Sequence, residues 1–245
     1  MMEALAAGAF RDFLGSIAFL GPRKDPLGIA YSGGPDSTAL LVLAVELLGT
    51  DRVVALHIDH GQRESSPLEA KQCQRVAAEL GVKAICSTLD GNAVSDERSR
   101  SGYEGSLRTL RYRALFTLCR SAQIGYLATA HHADDAVETL ILGLIRGAGL
   151  TGLAGPRTEK GGTVRVIRPL LQIPRTALLD VVRVRSLPTV DDASNRDLTL
   201  SRNRIRHTIL PEISALAGAS DPLYKTVAML DRDRRALEAL VSERL

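Results

Sequence analysis

Residues 31–38 read Tyr-Ser-Gly-Gly-Pro-Asp-Ser-Thr, with the apolar run Leu27-Gly28-Ile29-Ala30 before them and the leucine-rich stretch Ala39 to Leu48 after. That order spells strand, loop, helix. Two adjacent glycines let the backbone turn sharply and come close to a ligand, so successive N–H groups and the helix's positive end can face oxygen anions. Ser32, Gly33, Gly34, Pro35, Asp36 and Ser37 are therefore candidates for holding phosphate. A carboxylate beside bound phosphates raises repulsion unless a divalent cation sits between them, so Asp36 points to phosphate with Mg²⁺. The structural alternative is that Asp36 caps the helix and the glycines only make the turn. No lysine completes a Walker A loop here, and the Gly-x-Gly-x-x-Gly dinucleotide fingerprint is missing.

A second set of acids follows His131-His132. Asp135 and Glu138 are three residues apart, so on a helix both carboxylates project from one face. With Asp36 they can bind Mg²⁺ or accept a substrate ammonium; the alternative is that they complement the positive end of the helix dipole. A zinc role for His131 and His132 is disfavoured, because adjacent histidines on a helix start point in different directions and no cysteine completes a set. Further on, Arg202-Asn203-Arg204-Ile205-Arg206 is either a polyanion contact or a solvated basic face.

These segments carry a resemblance. Ser32 to Ser37 resembles the pyrophosphate loop, Ser-Gly-Gly-x-Asp-Ser, of the N-type ATP pyrophosphatases of the PP-loop superfamily. Ala128 to Thr139 is similar to the His-His-x-x-Asp-x-x-Glu-Thr segment of tRNA(Ile)-lysidine synthetases, and Arg146 to Leu153 extends the likeness. Arg111-Tyr112 matches that family's Arg-Tyr pair. Asp191-Asp192-Ala193-Ser194-Asn195-Arg196-Asp197 with Arg202 to Arg206 resembles its Asp-x-Ser-Asn and Arg-Asn-x-x-Arg signature, continued by Ile209-Leu210-Pro211. The likeness runs from about residue 27 to 213. It departs where Pro188-Thr189-Val190 replaces an aromatic often found there, and in a length of 245 residues where many relatives carry further C-terminal domains.

The resemblance implies ATP-dependent ligation of lysine to C2 of the wobble cytidine of a CAU-anticodon tRNA(Ile), through an adenylated cytidine. It implies catalytic roles for Asp36, Arg111, His131, Asp135 and Glu138, with Asp36 and Asp135 near Mg²⁺. Asn195, Arg202, Asn203, Arg204 and Arg206 would then hold the tRNA. Two other functions compete. One is an adenylating tRNA-modification enzyme of the 2-thiolation type, against which the absence of paired cysteines and of a glutaminase domain weighs. The other is a non-catalytic ATP- or RNA-binding module, which gains nothing from three acids beside phosphates.

The elements that must position these residues alternate. Val53 to His60, Val82 to Leu89 and Tyr126 to Ala130 read as strands, and helices are expected over about 68–80, 106–122 and 131–146. A right-handed, doubly wound parallel sheet of Rossmann-like, adenine nucleotide α-hydrolase type is the economical solution. Ligands of such sheets bind at the strands' carboxyl ends near the switch point, where Ser32, Asp59, His60 and His131 all fall. Residues 90–105, poor in apolar anchors, read as a mobile connector or lid. Gly161-Gly162 marks a hairpin, Pro174 opens a helix to about Ser186, another runs from about Leu200 through Arg206, and a last one covers about 223–245. The expected organisation is a PP-loop domain over 1–213, including an N-terminal helix within 1–22 and a basic segment at 187–213, followed by a helical extension over 214–245.

Composition bounds the rest. Aromatics make up 4% of the chain and tryptophan is absent, so the core must be aliphatic, which suits a parallel sheet flanked by helices. Residues 1–150 carry 15 basic and 17 acidic side chains, residues 151–245 carry 16 and 11, so the second part is the better polyanion surface. Cys73, Cys86 and Cys119 form no Cys-x-x-Cys pair, which argues against a disulfide framework, zinc ribbon or cluster site and suits a reducing, cytoplasmic setting. No run is long enough to span a bilayer. Oligomeric state is left open, a homodimer included.

Overall fold

A computed structural model describes residues 2–17, 19, 25–59, 66–89, 103–156, 160–190, 193–217 and 221–242. His60, the polar stretch 61–65, residues 90–102 of the expected lid, Asp191 and Asp192 lie outside them. The chain forms two compact units that do not follow sequence order: residues 1–130, 158–169 and 176–191 make the first, and residues 131–157, 170–175 and 192–245 the second.

In the first unit five strands are parallel. β1 (Leu27–Ala30), β2 (Val53–Asp59), β3 (Lys83–Thr88), β4 (Tyr126–Ala128) and β6 (Val164–Ile167) stand in the order β3-β2-β1-β4-β6, and β5 (Lys160–Gly161) adds an antiparallel edge. Between the edge strand β5 and its antiparallel neighbour β6 the chain turns at Gly162, whose φ of 65° suits the glycine expected there. β1 pairs with β2 from Leu27↔Val53 and with β4 from Leu27↔Tyr126. The first crossovers build outward from β1 to β3; the chain then returns to β1's other side. The switch point therefore lies between β1 and β4, and in such sheets ligands bind beyond the carboxyl ends at that point.

Helices α1 (Met2–Ser16), α2 (Pro35–Leu48), α3 (Ser66–Glu79), α4 (Tyr103–Ser121) and α7 (Arg175–Val184) are named in chain order with those of the second unit. α2 is nearly apolar all round, and Ala39 through Ala44 are each at most 1% exposed, so it is a central helix rather than a surface one. α1 is amphipathic, as its spacing predicts, burying Ala6, Phe10 and Leu14. The sheet packs Leu56, Ile58, Leu127, Val164 and Val166 against Tyr112, Leu115 and Cys119 of α4. Burial pushes the Cys73 and Cys119 thiols up to about 12, which keeps them protonated and inert at neutral pH.

The second unit is helical: α5 (Ala133–Ile145), α6 (Leu150–Leu153), α8 (Ser201–Arg204), α9 (Leu210–Ala217) and α10 (Asp221–Ser242). Ala136, Val137 and Leu140 of α5 bury against Val227 of α10, with Leu153, Leu210 and Leu230 around them. Between α8 and α9 the helix widens into a π segment, Ile205–Ile209, which sequence spacing does not foretell. Pro211 supplies the reason. It has no N–H for the carbonyl of His207 and its ring crowds that oxygen, so a wider turn relieves the conflict. The helix expected over 200–206 thus continues in altered form to Ala217.

Candidate active site

The loop after β1 is held from behind on three sides. Tyr31 N–H still bonds the carbonyl of Leu56 at 2.9 Å, and His57 Nδ1 lies 2.9 Å from the carbonyl oxygen of Tyr31. The chain then turns at Gly33, with φ of 79°. A Cβ there would stand 2.7 Å from Cys73 Sγ and 2.9 Å from Val190 Cγ2, so both conformation and space demand glycine. Carbonyls face the protein: Val190 N–H donates to Gly33 O at 2.8 Å, and Ser37 Oγ and Thr38 Oγ1 each donate to Gly34 O at 3.0 Å. Ser32 Oγ and Ser37 Oγ are 3.1 Å apart across the loop. Because the first N–H groups of a helix have no intrahelical acceptor, this arrangement leaves the start of α2 fitted to an anion. Pro35 occupies the first turn without loss, and Asp36, half-buried, follows it.

Alanine at Gly33 should therefore weaken ATP binding about tenfold or more, since an unfavourable φ costs on the order of 1–3 kcal/mol. Equilibrium binding of labelled ATP to the variant measures this; unchanged affinity would show that the loop does not carry the nucleotide.

The acids of α5 are committed to specific partners within the second unit. Asp135 Oδ2 accepts the backbone N–H of His132 at 3.0 Å and so satisfies a donor at the helix start. Its other oxygen, Oδ1, takes Arg206 Nη2 at 2.9 Å. Glu138 is 0% exposed, and its Oε1 accepts from Arg206 Nε at 2.6 Å while Oε2 accepts from Arg202 Nε at 3.0 Å. Arg202 Nη2 also donates to Thr139 Oγ1 at 3.1 Å. Two carboxylates and two guanidiniums balance one another there.

Asp134 faces another way. Its oxygens accept from Arg175 N–H at 2.9 Å and Tyr224 O–H at 3.0 Å, with His132 Nδ1 at 3.4 Å. Burial alone would raise its pKa, but His132, the backbone donor and the phenol outweigh it and hold the carboxyl down to about 2. A depressed value stabilises the fold above the ordinary carboxylate range and is lost as pH falls through about 4 towards 2. Wild-type protein should thus lose about 1–2 kcal/mol over that window that Asp134→Asn does not. Urea unfolding at pH 5, 4 and 3, followed by circular dichroism, checks it; parallel curves would refute the assignment.

The remaining expected residues are distributed as follows. Arg111 lies in the first unit, half-buried, 5.9 Å over the ring of Tyr112; burial pulls its guanidinium below the ordinary value, Tyr112 opposes this and Arg108 adds to it. His131 is half-buried at the entry to α5. Asn203 is buried and donates to the carbonyl of Asp197 at 2.9 Å, which shapes the turn before α8. Asn195 and Arg204 are exposed, and the carbonyl of Asn195 lies 2.9 Å from His207 Nε2. Spacing alone missed His57 and Val190. Val190 lies in the segment that departs from the family's aromatic pattern, and its backbone contact with Gly33 has no side-chain signal.

Asp36, half-buried at the start of α2, is the carboxylate that would hold a divalent cation beside bound phosphates. Among the described residues no three His, Cys, Asp or Glu side chains gather into a cage. Mg²⁺ does not need one, being bound through one or two carboxylates with substrate phosphates completing the shell. No described helix is long and apolar enough to cross a membrane.

Comparison with known proteins fits this geometry. The PP-loop domain family matches residues 9–213. The tRNA(Ile)-lysidine synthase of Polaromonas naphthalenivorans is 37% identical over 227 residues, covering 92% of this chain and 67% of that protein. That of Burkholderia mallei is 36% identical over 236 residues, 94% of this chain and 47% of its own length. That of Novosphingobium aromaticivorans is 41% identical over 222 residues, 84% and 65% respectively. The chain thus spans about half to two thirds of these curated relatives. Among solved structures, the U34-tRNA thiolase NcsA from Methanococcus maripaludis with its [4Fe-4S] cluster superposes with a TM-score of 0.76, covering 97% of this chain and 79% of that one. At 17% identity that likeness shows the fold alone. On its loop, its sheet and these relatives, the chain belongs to the PP-loop family and, within it, to the tRNA(Ile)-lysidine synthases.

Proposed function

We propose that the protein joins the ε-amine of lysine to C2 of the wobble cytidine in a CAU-anticodon tRNA(Ile), consuming ATP and releasing AMP and pyrophosphate. The observation that carries this reading is the loop itself, whose carbonyls are drawn inward by Ser37, Thr38 and Val190 so that its helix start suits a pyrophosphate. The names of the relatives supply the RNA.

In the first step the cytosine's 2-carbonyl oxygen bonds to the α-phosphorus and the bond to the β-phosphate oxygen breaks. Ser32 to Ser37 receive the departing pyrophosphate. Mg²⁺ held by Asp36 and the nucleotide's phosphates would neutralise the charge that builds up there. Arg111 is assigned to the α-phosphate and His131 to positioning the nucleotide.

In the second step the lysine nitrogen bonds to C2, and the C2–O bond breaks, its electron pair leaving with AMP. The amine must arrive uncharged. Asp135 is assigned as the group that receives its proton, and the guanidiniums beside that seat favour the neutral amine. Because both oxygens of Asp135 already accept N–H groups, from His132 and Arg206, it is assigned to the amine and Asp36 alone to Mg²⁺. The target base must leave its stack to be reached. Asn195 and Arg204 are assigned to the tRNA.

Incubation with ATP, Mg²⁺, labelled lysine and unmodified CAU-anticodon tRNA(Ile) tests the reading. Label entering RNA only with every component present supports it. Release of pyrophosphate without lysine transfer, or incorporation of sulfur instead, favours a different adenylating enzyme.

A further inference from the structure

We propose that Arg206 is a positioning residue for the lysine-receiving acids and not, as its place in a basic run suggests, a contact of the tRNA backbone. This rests on the reading above, in which Asp135 meets the amine.

The argument is one of geometry and burial. A single guanidinium spans two carboxylates, Nε on Glu138 at 2.6 Å and Nη2 on Asp135 at 2.9 Å. Those acids lie three residues apart on one face of α5, so the planar fork fixes their mutual placement as a monodentate contact would not. Arg202 closes the other oxygen of Glu138 at 3.0 Å, and with no exposure left Glu138 has no open edge for a substrate. Drawing Arg206 out to a phosphate would strip one partner from this sealed carboxylate, an exchange opposed by the cost of leaving buried charge uncompensated. The side chain of Arg206 is 21% exposed and that of Arg202 42%. Arg204, exposed between them and outside this network, is the arginine free of that cost. The π segment that contains Arg206 is the kind of local irregularity that collects at functional sites.

Glu138 thus acts through Arg206 on Asp135. Asp135, with a side chain 13% exposed, keeps an edge for the amine.

The test compares Arg206→Gln, Arg206→Lys and Arg204→Gln in the full chain. Three quantities are read: tRNA affinity across a salt series, pyrophosphate release with ATP and tRNA, and lysine incorporation against lysine concentration. For Arg206→Gln the expected result is tRNA affinity within about twofold and an unchanged salt slope, with pyrophosphate release preserved and kcat/KM for lysine down about a hundredfold. Arg206→Lys should recover only part, because an ammonium cannot bridge both acids. Arg204→Gln should instead lower the salt slope by about one.

An Arg206→Gln protein that behaves like Arg204→Gln, with normal kcat/KM for lysine, overturns the proposal. So does loss of both partial reactions in step with a lowered melting temperature, which would mean a purely structural role. Wild-type protein that transfers no lysine overturns the underlying reading instead, so the two failures are separable.

Discussion

Asparagine at Asp36 is expected to reduce pyrophosphate release and lysine transfer by about a hundred- to a thousandfold, the range seen when a charge-stabilising group is removed from a reacting centre. The same variant should bind ATP without Mg²⁺ more tightly than wild type does. A carboxylate about 4 Å from a phosphate oxygen is worth up to about 4 kcal/mol of repulsion at an effective dielectric of 20. The two effects have opposite signs because a metal ligand opposes the bare nucleotide and assists the metal complex. A residue that merely complemented the helix dipole would give neither, only about 0.3–1 kcal/mol of stability. Equilibrium binding of ATP with and without Mg²⁺, together with pyrophosphate release, separates the cases. Near-normal turnover in Asp36→Asn would return this side chain to the role of a cap.

Much of this was legible in the sequence because the relevant signals are local. Gly33-Gly34 between an apolar strand and a leucine-rich helix specifies its own conformation, and alternating strands and helices leave a doubly wound sheet as the simple topology. The spacing of Asp135 and Glu138 also put them on one helix face, as found. What spacing could not reveal was the partner of each charge. Arg202, Arg204 and Arg206 read as one basic stripe, yet two turn onto Glu138 and the third faces solvent. That division depends on contacts more than sixty positions apart in the chain. Asn203, grouped with them by motif, shapes a turn through the carbonyl of Asp197. The division into units was hidden for the same reason, since Val227 packs on Ala136 and Leu140 across a long separation.

Alanine at Glu138 is expected to cost about 2–3 kcal/mol of stability and to lower the melting midpoint by roughly 5–10 °C, while abolishing lysine transfer. Removing one partner of a buried ion pair typically costs about 3–5 kcal/mol, because the remaining charge stays in a poorly solvated place. Here the penalty is reduced because both arginine side chains retain some access to water. Glutamine is the sharper probe. It preserves shape and one acceptor, but sets an NH₂ group against a guanidinium N–H, so about 1–3 kcal/mol should still be lost. Pairing Glu138→Ala with Arg206→Ala completes the argument. If Glu138 organises the cluster, the double variant should be less destabilised than the sum of the singles, since fewer charges are left uncompensated. Thermal unfolding of the four proteins measures that coupling. A Glu138→Ala protein as stable as wild type but inactive, with no coupling to Arg206→Ala, would instead make Glu138 a direct participant in the chemistry.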